Sequence, residues 1–232
     1  MTFDISLHKT TLFQILKEIY SDTTISPFLG FKGGTAASMF YGLDRLSIDL
    51  DFDLLDSTKE KHVFEKIEKI TKKYGTMKDM YRKRFNLFFM LSYQEHSRNI
   101  KIEINRREFG SQYEIKTYLG VSMLVMRRED MFAHKLMAMY ERMGRTNRDI
   151  YDVWFFLKNL WPINREIVEK RAGMPFKELI GSCIRSLENL TDRKILAGIG
   201  ELLTNTQKDW AKANLRKDTI SLLKLRLEGG RS

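Results

Sequence analysis

The sequence predicts an α+β fold: a β-sheet with flanking helices over residues 1–126, followed by a helical bundle over 127–232. Three observations predict it. Residues 48–54 and 99–105 alternate apolar and polar side chains, the period of a half-buried strand. Residues 7–20 place Leu12, Ile15, Leu16 and Ile19 at helical spacing. After Arg127 the apolar residues recur at helical spacing instead. No Gly/Ser/Pro linker marks the change near Arg127, so the two parts are expected to pack together.

The elements follow in order. Pro27 and Gly30 end the first helix, and an apolar stretch leads to Gly33-Gly34-Thr35. A short helix then runs to Tyr41 and stops at Gly42, with Thr35 expected at or near its N-terminal cap. In the 48–54 strand Ile48, Leu50, Phe52 and Leu54 face one way and Asp49, Asp51 and Asp53 the other. Ser57-Thr58-Lys59-Glu60 fits a capping box for a helix carrying Val63, Phe64, Ile67 and Ile70. Strands are expected over 76–82 and 85–93, and two more between 113 and 126. Met131, Leu136, Met139 and Met143 mark one later helix, and Ile150, Val153, Trp154 and Leu157 another.

Composition narrows the function. The 232 residues hold 40 Lys+Arg against 30 Asp+Glu, a net charge of +10. Such a surplus suits polyanions. It is concentrated: residues 61–108 carry 13 basic and six acidic groups, and residues 205–232 carry seven and three. A single cysteine, Cys183, excludes a disulfide scaffold and a cysteine zinc knuckle. With no long apolar run and no basic-apolar leader at the start, the expected location is the cytoplasm, without a membrane. His8, His62, His96 and His134 show no ligand spacing.

Between Tyr41 and Asp56 the sign reverses, with five Asp against Arg45 alone. Residues two apart on a strand lie about 6.5–7 Å apart on one face, so Asp49 and Asp51 can share a cation such as Mg²⁺. Glu103, on the similarly alternating 99–105 strand, adds a third carboxylate if the two strands are neighbours. Asp53 is the spare carboxylate and is expected to be solvated. Asp49, Asp51, Asp53 and Glu60 also match positions of a calcium loop, but Leu54 stands where that loop needs Gly. Gly33 and Gly34 before a helix allow backbone amides to approach phosphate oxygens.

The stretch Lys32-Gly33-Gly34-Thr35, a short helix and Arg45-Leu46-Ser47-Ile48-Asp49-Leu50-Asp51-Phe52 resembles the signature of the AbiEii/AbiGii toxin family. That family belongs to the polymerase-β-like nucleotidyltransferases. Lys101-Ile102-Glu103-Ile104 resembles its third-carboxylate strand. Lys135 to Tyr140 resembles its K-x4 helix, and Arg148-Asp149-Ile150-Tyr151-Asp152 its R-D-x-x-D motif. The resemblance spans about residues 28–157. Thr35 stands for the superfamily's Ser, Glu103 for the commoner Asp, and Tyr140 where Lys or Arg often ends the motif.

The resemblance implies a nucleotidyltransferase-type mixed sheet with a C-terminal helical bundle packed against it. It implies transfer of a nucleoside monophosphate from an NTP, with Mg²⁺, to an acceptor such as the 3′ end of tRNA. Asp49, Asp51 and Glu103 would hold metal and act in catalysis, together with Lys135, Asp149 and Asp152. Lys32, Gly33, Gly34, Thr35, Ser47 and Arg148 would bind nucleotide. A toxin–antitoxin or phage-defence setting, with a winged-helix antitoxin encoded nearby, follows from the same likeness. Lys135 is expected on a solvent-facing helix surface, where replacement would cost little stability. Two alternatives stay open: a small-molecule nucleotidyltransferase of the antibiotic-modifying kind, and a non-catalytic RNA- or partner-binding module.

Overall fold

The computed structural model describes residues 4–95 and 98–229, so His96 lies outside the described residues. The chain divides into two compact units. One holds residues 1–42, 47–108 and 112–126; the other holds 43–46, 109–111 and 127–232.

The first unit is built on a seven-stranded mixed sheet. Its strands are β1 (Leu29–Lys32), β2 (Asp49–Leu54), β3 (Thr76–Arg82), β4 (Asn86–Ser92), β5 (Ile100–Asn105), β6 (Tyr113–Tyr118) and β7 (Val121–Met126). The spatial order is β3-β4-β5-β2-β1-β7-β6. The pairs β2–β5 and β1–β7 are parallel, and β1–β2 is antiparallel. The alternation read from the sequence sorts the two faces. Phe31, Leu50, Phe52, Phe89, Ile102 and Ile104 are buried on one of them. Burying each such side chain is worth roughly 1.5–3 kcal/mol. Three helices cover this face: α1 (Ile5–Ser21), α2 (Gly33–Tyr41) and α3 (Glu60–Lys72). Tyr20 of α1 meets Phe52, Phe40 of α2 meets Phe31, and Phe64 of α3 meets Phe89 at ring distances of 6.4, 6.5 and 4.8 Å. The other face carries the acidic row of β2 and the polar residues of β5.

Several local expectations change. Strand β1 has only four residues, one of them Gly30, too short for a period to show. Thr35 does not cap α2: the N-cap is Lys32, and Gly33 and Gly34 form the first turn. The capping box at Ser57 is absent. Asp56 caps instead, accepting from the Thr58 amide at 2.9 Å, and residues 57–59 form a 3-10 turn. The Glu60 carboxylate is occupied by Arg82 and Arg106. A strand over 49–54 also removes the calcium-loop alternative, because that loop cannot be extended.

The second unit is helical: α4 (Arg128–Arg142), α5 (Arg148–Lys158), α6 (Arg165–Ala172), α7 (Phe176–Glu188), α8 (Asn205–Trp210) and α9 (Arg216–Glu228). Trp161 lies flat on Phe156 at 4.0 Å, and Phe156 meets Phe132 edge-on. Cys183 is buried among these helices, which pushes its thiol up to about 12. Among the described residues no helix is long and apolar enough to cross a membrane.

Gly30 shows how tightly the polar face is built. A Cβ at this position would overlap the Tyr113 ring, which lies across the glycine. Gly30→Ala should therefore push Tyr113 away and cost roughly 1–3 kcal/mol, the usual range for overpacking. Chemical denaturation of the variant measures this, and a midpoint equal to wild type would show that the ring moves freely.

Candidate functional site

The acidic row of β2 divides into two environments. Asp53 is 6% exposed and is not solvated as the sequence suggested. It accepts from Lys32 Nζ at 2.5 Å, from the Tyr113 hydroxyl at 2.5 Å and from Asn105 Nδ2 at 2.6 Å. Burial alone would push its carboxyl up; Lys32, Tyr113 and Asn105 outweigh burial and hold it below the ordinary carboxylate range. Lys32, expected to bind nucleotide, thus has its ammonium on Asp53. Asp49 and Asp51 are half-buried on the same face.

Backbone register assembles the rest. Asp51 lies opposite Lys32 on β1 and opposite Glu103 on β5. The carboxylates of β2 and the third, on β5, are thereby neighbours, the condition that the alternation left open. Glu103 is exposed and accepts from Asn86 Nδ2 at 3.0 Å.

Gly33 follows Lys32 directly and has φ +80°, a conformation that side chains disfavour. A Cβ on it would overlap the Asp51 carboxylate. The glycine therefore serves two needs at once, the turn into α2 and the close approach of the first helical turn to Asp51. That turn carries the orphan amides and partial positive charge of a helix start.

Thr35 and Ser47 brace the start of β2. Thr35 Oγ1 donates to the Asp49 carbonyl at 2.5 Å and lies 2.9 Å from Ser47 Oγ. Both line a cavity of about 160 Å³ between α1 and α2, with Lys9, Phe13, Ser38 and Tyr118. It is smaller than the roughly 300–1,000 Å³ of ordinary small-molecule pockets. His8, set aside in the sequence for lack of ligand spacing, also acts here. Its Nε2 donates to the Ile48 carbonyl at 3.0 Å, so Nδ1 accepts from the Tyr93 hydroxyl at 2.8 Å. Burial lowers its pKa, against the opposing pull of the Ile48 hydrogen bond. No spacing rule could have shown this, because Tyr93 is 85 positions away.

In the helical unit Lys135 is not a surface lysine. Its side chain is 12% exposed, and Nζ meets Asp152 at 2.7 Å and Asp149 at 3.1 Å. Both carboxylates are fully buried. Arg142 Nη2 takes the other Asp149 oxygen at 2.6 Å. Arg45 grips Asp152 with both arms of its guanidinium, at 2.5 and 2.7 Å. Burial raises the Asp152 carboxyl, but Arg45 and then Lys135 bring it far below the ordinary range. Arg45 stands out in the sequence as the one base among five Asp and as the start of the resembling stretch, but neither shows its partner, which lies 107 positions on. Arg148, expected at the nucleotide, is half-buried at the start of α5.

The residues fit a hard divalent cation. Among the described residues no three His, Cys, Asp or Glu side chains close around one point, so Asp49, Asp51 and Glu103 form an open row. Magnesium uses one or two carboxylates together with phosphate oxygens and water, which an open row beside a helix start allows.

Comparison with known proteins follows the same lines. A family model described as "Nucleotidyl transferase AbiEii toxin, Type IV TA system" matches residues 14–213. The structure described as "Crystal structure of putative nucleotidyltransferase from H. pylori" shares the fold with a TM-score of 0.65 and 18% identity, over 100% of both chains. That of JHP933 from Helicobacter pylori shares it at 0.62 and 18%, over 99% of this chain and 96% of the other. No curated protein matches the chain.

Two outcomes are expected. Lys135→Ala strips one cation from two buried carboxylates, a change that typically costs about 3–5 kcal/mol; Arg45 and Arg142 remain, so the lower end is expected. A melting curve unchanged from wild type would place Lys135 in solvent after all. The second concerns pH. Asp53 and Asp152 titrate lower folded than unfolded, so their stabilisation is complete above the unfolded carboxylate range and is lost as pH falls through their folded values. Denaturation midpoints should therefore fall below about pH 4, and Asp53→Asn should flatten that fall; an equal slope in the variant would contradict it.

Proposed function

The chain belongs to the AbiEii nucleotidyl transferase toxin family of type IV toxin–antitoxin systems, and on that premise we propose that it transfers a nucleoside monophosphate from an NTP to the 3′ end of tRNA. One observation carries the reading: Gly33 sets the start of α2 against Asp51, which lies in register with Glu103. Amides that would take phosphate thus lie beside Asp51, and Asp51 beside Glu103, on the polar face.

Asp49 and Asp51 would hold Mg²⁺, which when bound supplies charge neutralisation on the triphosphate. The first-turn amides of α2, at Gly33 and Gly34, would hold phosphate oxygens. Thr35 and Ser47 keep the start of β2 in place through the Asp49 carbonyl. Glu103 would accept the proton of the attacking hydroxyl. The exposed carboxylate suits that task, and Asn86 orients it. Attack on the α-phosphorus forms the new phosphodiester and breaks the bond to pyrophosphate. Lys135, Asp149 and Asp152 enter this reading as the lock of the helical unit. Lys32 enters as the counter-ion of Asp53, and Arg148 as a residue at the start of α5. The basic stretch 61–108 favours a polyanionic acceptor over a cationic small molecule. The protein would act in the cytoplasm, with an antitoxin partner encoded nearby.

Incubation with each α-labelled NTP, Mg²⁺ and total tRNA tests this. Labelled RNA and pyrophosphate are expected from wild type. Asp49→Asn and Asp51→Asn should lose at least about 10²-fold in transfer, the scale of removing one charge-stabilising group, with melting curves intact. Near-normal transfer by either variant would remove the metal site; label on a small molecule but not on RNA would select the antibiotic-type alternative.

A further inference from the structure

The turn between β3 and β4 carries Lys83, Arg84 and Phe85, and Phe85 is 50% exposed. Short hairpin turns normally carry small polar residues or glycine. The cations have an ordinary explanation, since charged side chains protect a sheet edge and β3 is an edge strand. The exposed phenylalanine has none of that kind.

Its surroundings are specific. The Arg84 and Arg107 guanidinium carbons lie 5.1 and 5.6 Å from the Phe85 ring centre. Lys83 Nζ lies 4.1 Å from the Tyr81 ring, and Tyr81 in turn stacks on Phe88 at 4.7 Å and 14°. The turn is held firmly. The Lys83 amide donates to the Asn86 carbonyl at 2.9 Å, the Arg106 amide to the Phe85 carbonyl at 2.9 Å, and Arg106 Nη1 to the Lys83 carbonyl at 2.7 Å. Phe85 therefore supports two planar cations, Arg84 and Arg107, over its half-exposed ring on a rigid turn. Aromatic faces with arginine beside them are the elements on which unpaired bases stack.

Its position adds the second half. Asn86, the next residue, donates to Glu103, and Phe88 lies opposite Glu103 in the β4–β5 register. The residue after Phe85 thus holds the carboxylate assigned to the acceptor hydroxyl. We propose that the Phe85 turn is the docking platform for an unpaired base at the 3′ end of the RNA acceptor, placing the terminal hydroxyl at Glu103. This rests on the nucleotidyl-transfer reading for its purpose, though not for its binding chemistry. Arg84, Arg107 and Lys83 would meet the phosphates on either side.

Fluorescence anisotropy tests it with no NTP and no metal, using a labelled ten-nucleotide oligoadenylate and an RNA duplex of equal length. Wild type should bind the single strand more tightly than the duplex, and affinity should fall with salt. Phe85→Ala should weaken single-strand binding by about 5- to 100-fold, the range of one lost base stack, while Phe85→Trp should keep it. Both variants should melt as wild type does, because the side chain is half in solvent. Single-strand binding by Phe85→Ala equal to wild type, no binding by wild type, or a duplex preferred with the same loss would each overturn the platform. These outcomes separate from the transfer assay: a platform that binds in a protein without transferase activity overturns the transfer reading alone, and transfer with Phe85→Ala binding unchanged overturns the platform alone.

Discussion

A buried carboxylate must be paired, and in this protein that requirement organises the site. Asp53 sits at the buried end of the acidic row, and Lys32, at the end of β1, neutralises it. The pair ties β1 to β2 at the residue where the chain turns into α2. Gly33 is next, and its backbone lies against Asp51. One ion pair thus precedes, by one residue, the turn that brings a helix start to the other carboxylates. Tyr113 and Asn105 complete the shell around Asp53, so β1, β2, β5 and β6 all meet at that side chain. An isolated ionised carboxylate would be too costly there, which is why each of its neighbours is a donor.

The helical unit repeats the arrangement with other residues. Asp149 and Asp152, fully buried one turn apart on α5, are met by Lys135 and Arg142 from α4 and by Arg45 from the 43–46 segment. Arg45 stands four positions before Asp49 in the chain. Replacing one member of such a network is far more damaging than its absence from the outset would be, because the partner charge stays behind.

Legibility differed by the kind of information each element uses. The period-two pattern of 48–54 and 99–105 needs no partner to be read, but only the register shows that Asp51 and Glu103 are neighbours. Period alone could not tell Asp53 from Asp49 and Asp51, because all three share one face; burial divides them, and burial depends on Tyr113, 60 positions away. Strand β1 was too short to show a period. Lys135 looked like a surface residue because its partners lie 14 and 17 positions on, at spacings no helix rule covers. Asp56 caps in place of the neighbouring Ser57 because the two residue types cap about equally well, and Lys32 caps with no side-chain hydrogen bond, so no residue type marks that helix start.

The division of the acidic row is the account's central claim, and ligand-induced stabilisation tests it most directly. Melting temperatures of wild type, Asp51→Asn and Asp53→Asn would be measured with and without Mg²⁺ and a non-hydrolysable NTP analogue. The account predicts opposite behaviour on one strand. Asp53→Asn should melt lower without ligand and still be stabilised by it, whereas Asp51→Asn should melt no lower than wild type and gain nothing from ligand. If Asp51→Asn keeps the ligand shift, or if Asp53→Asn melts as wild type and loses the shift, the assignment of structural and ligand-binding carboxylates is contradicted.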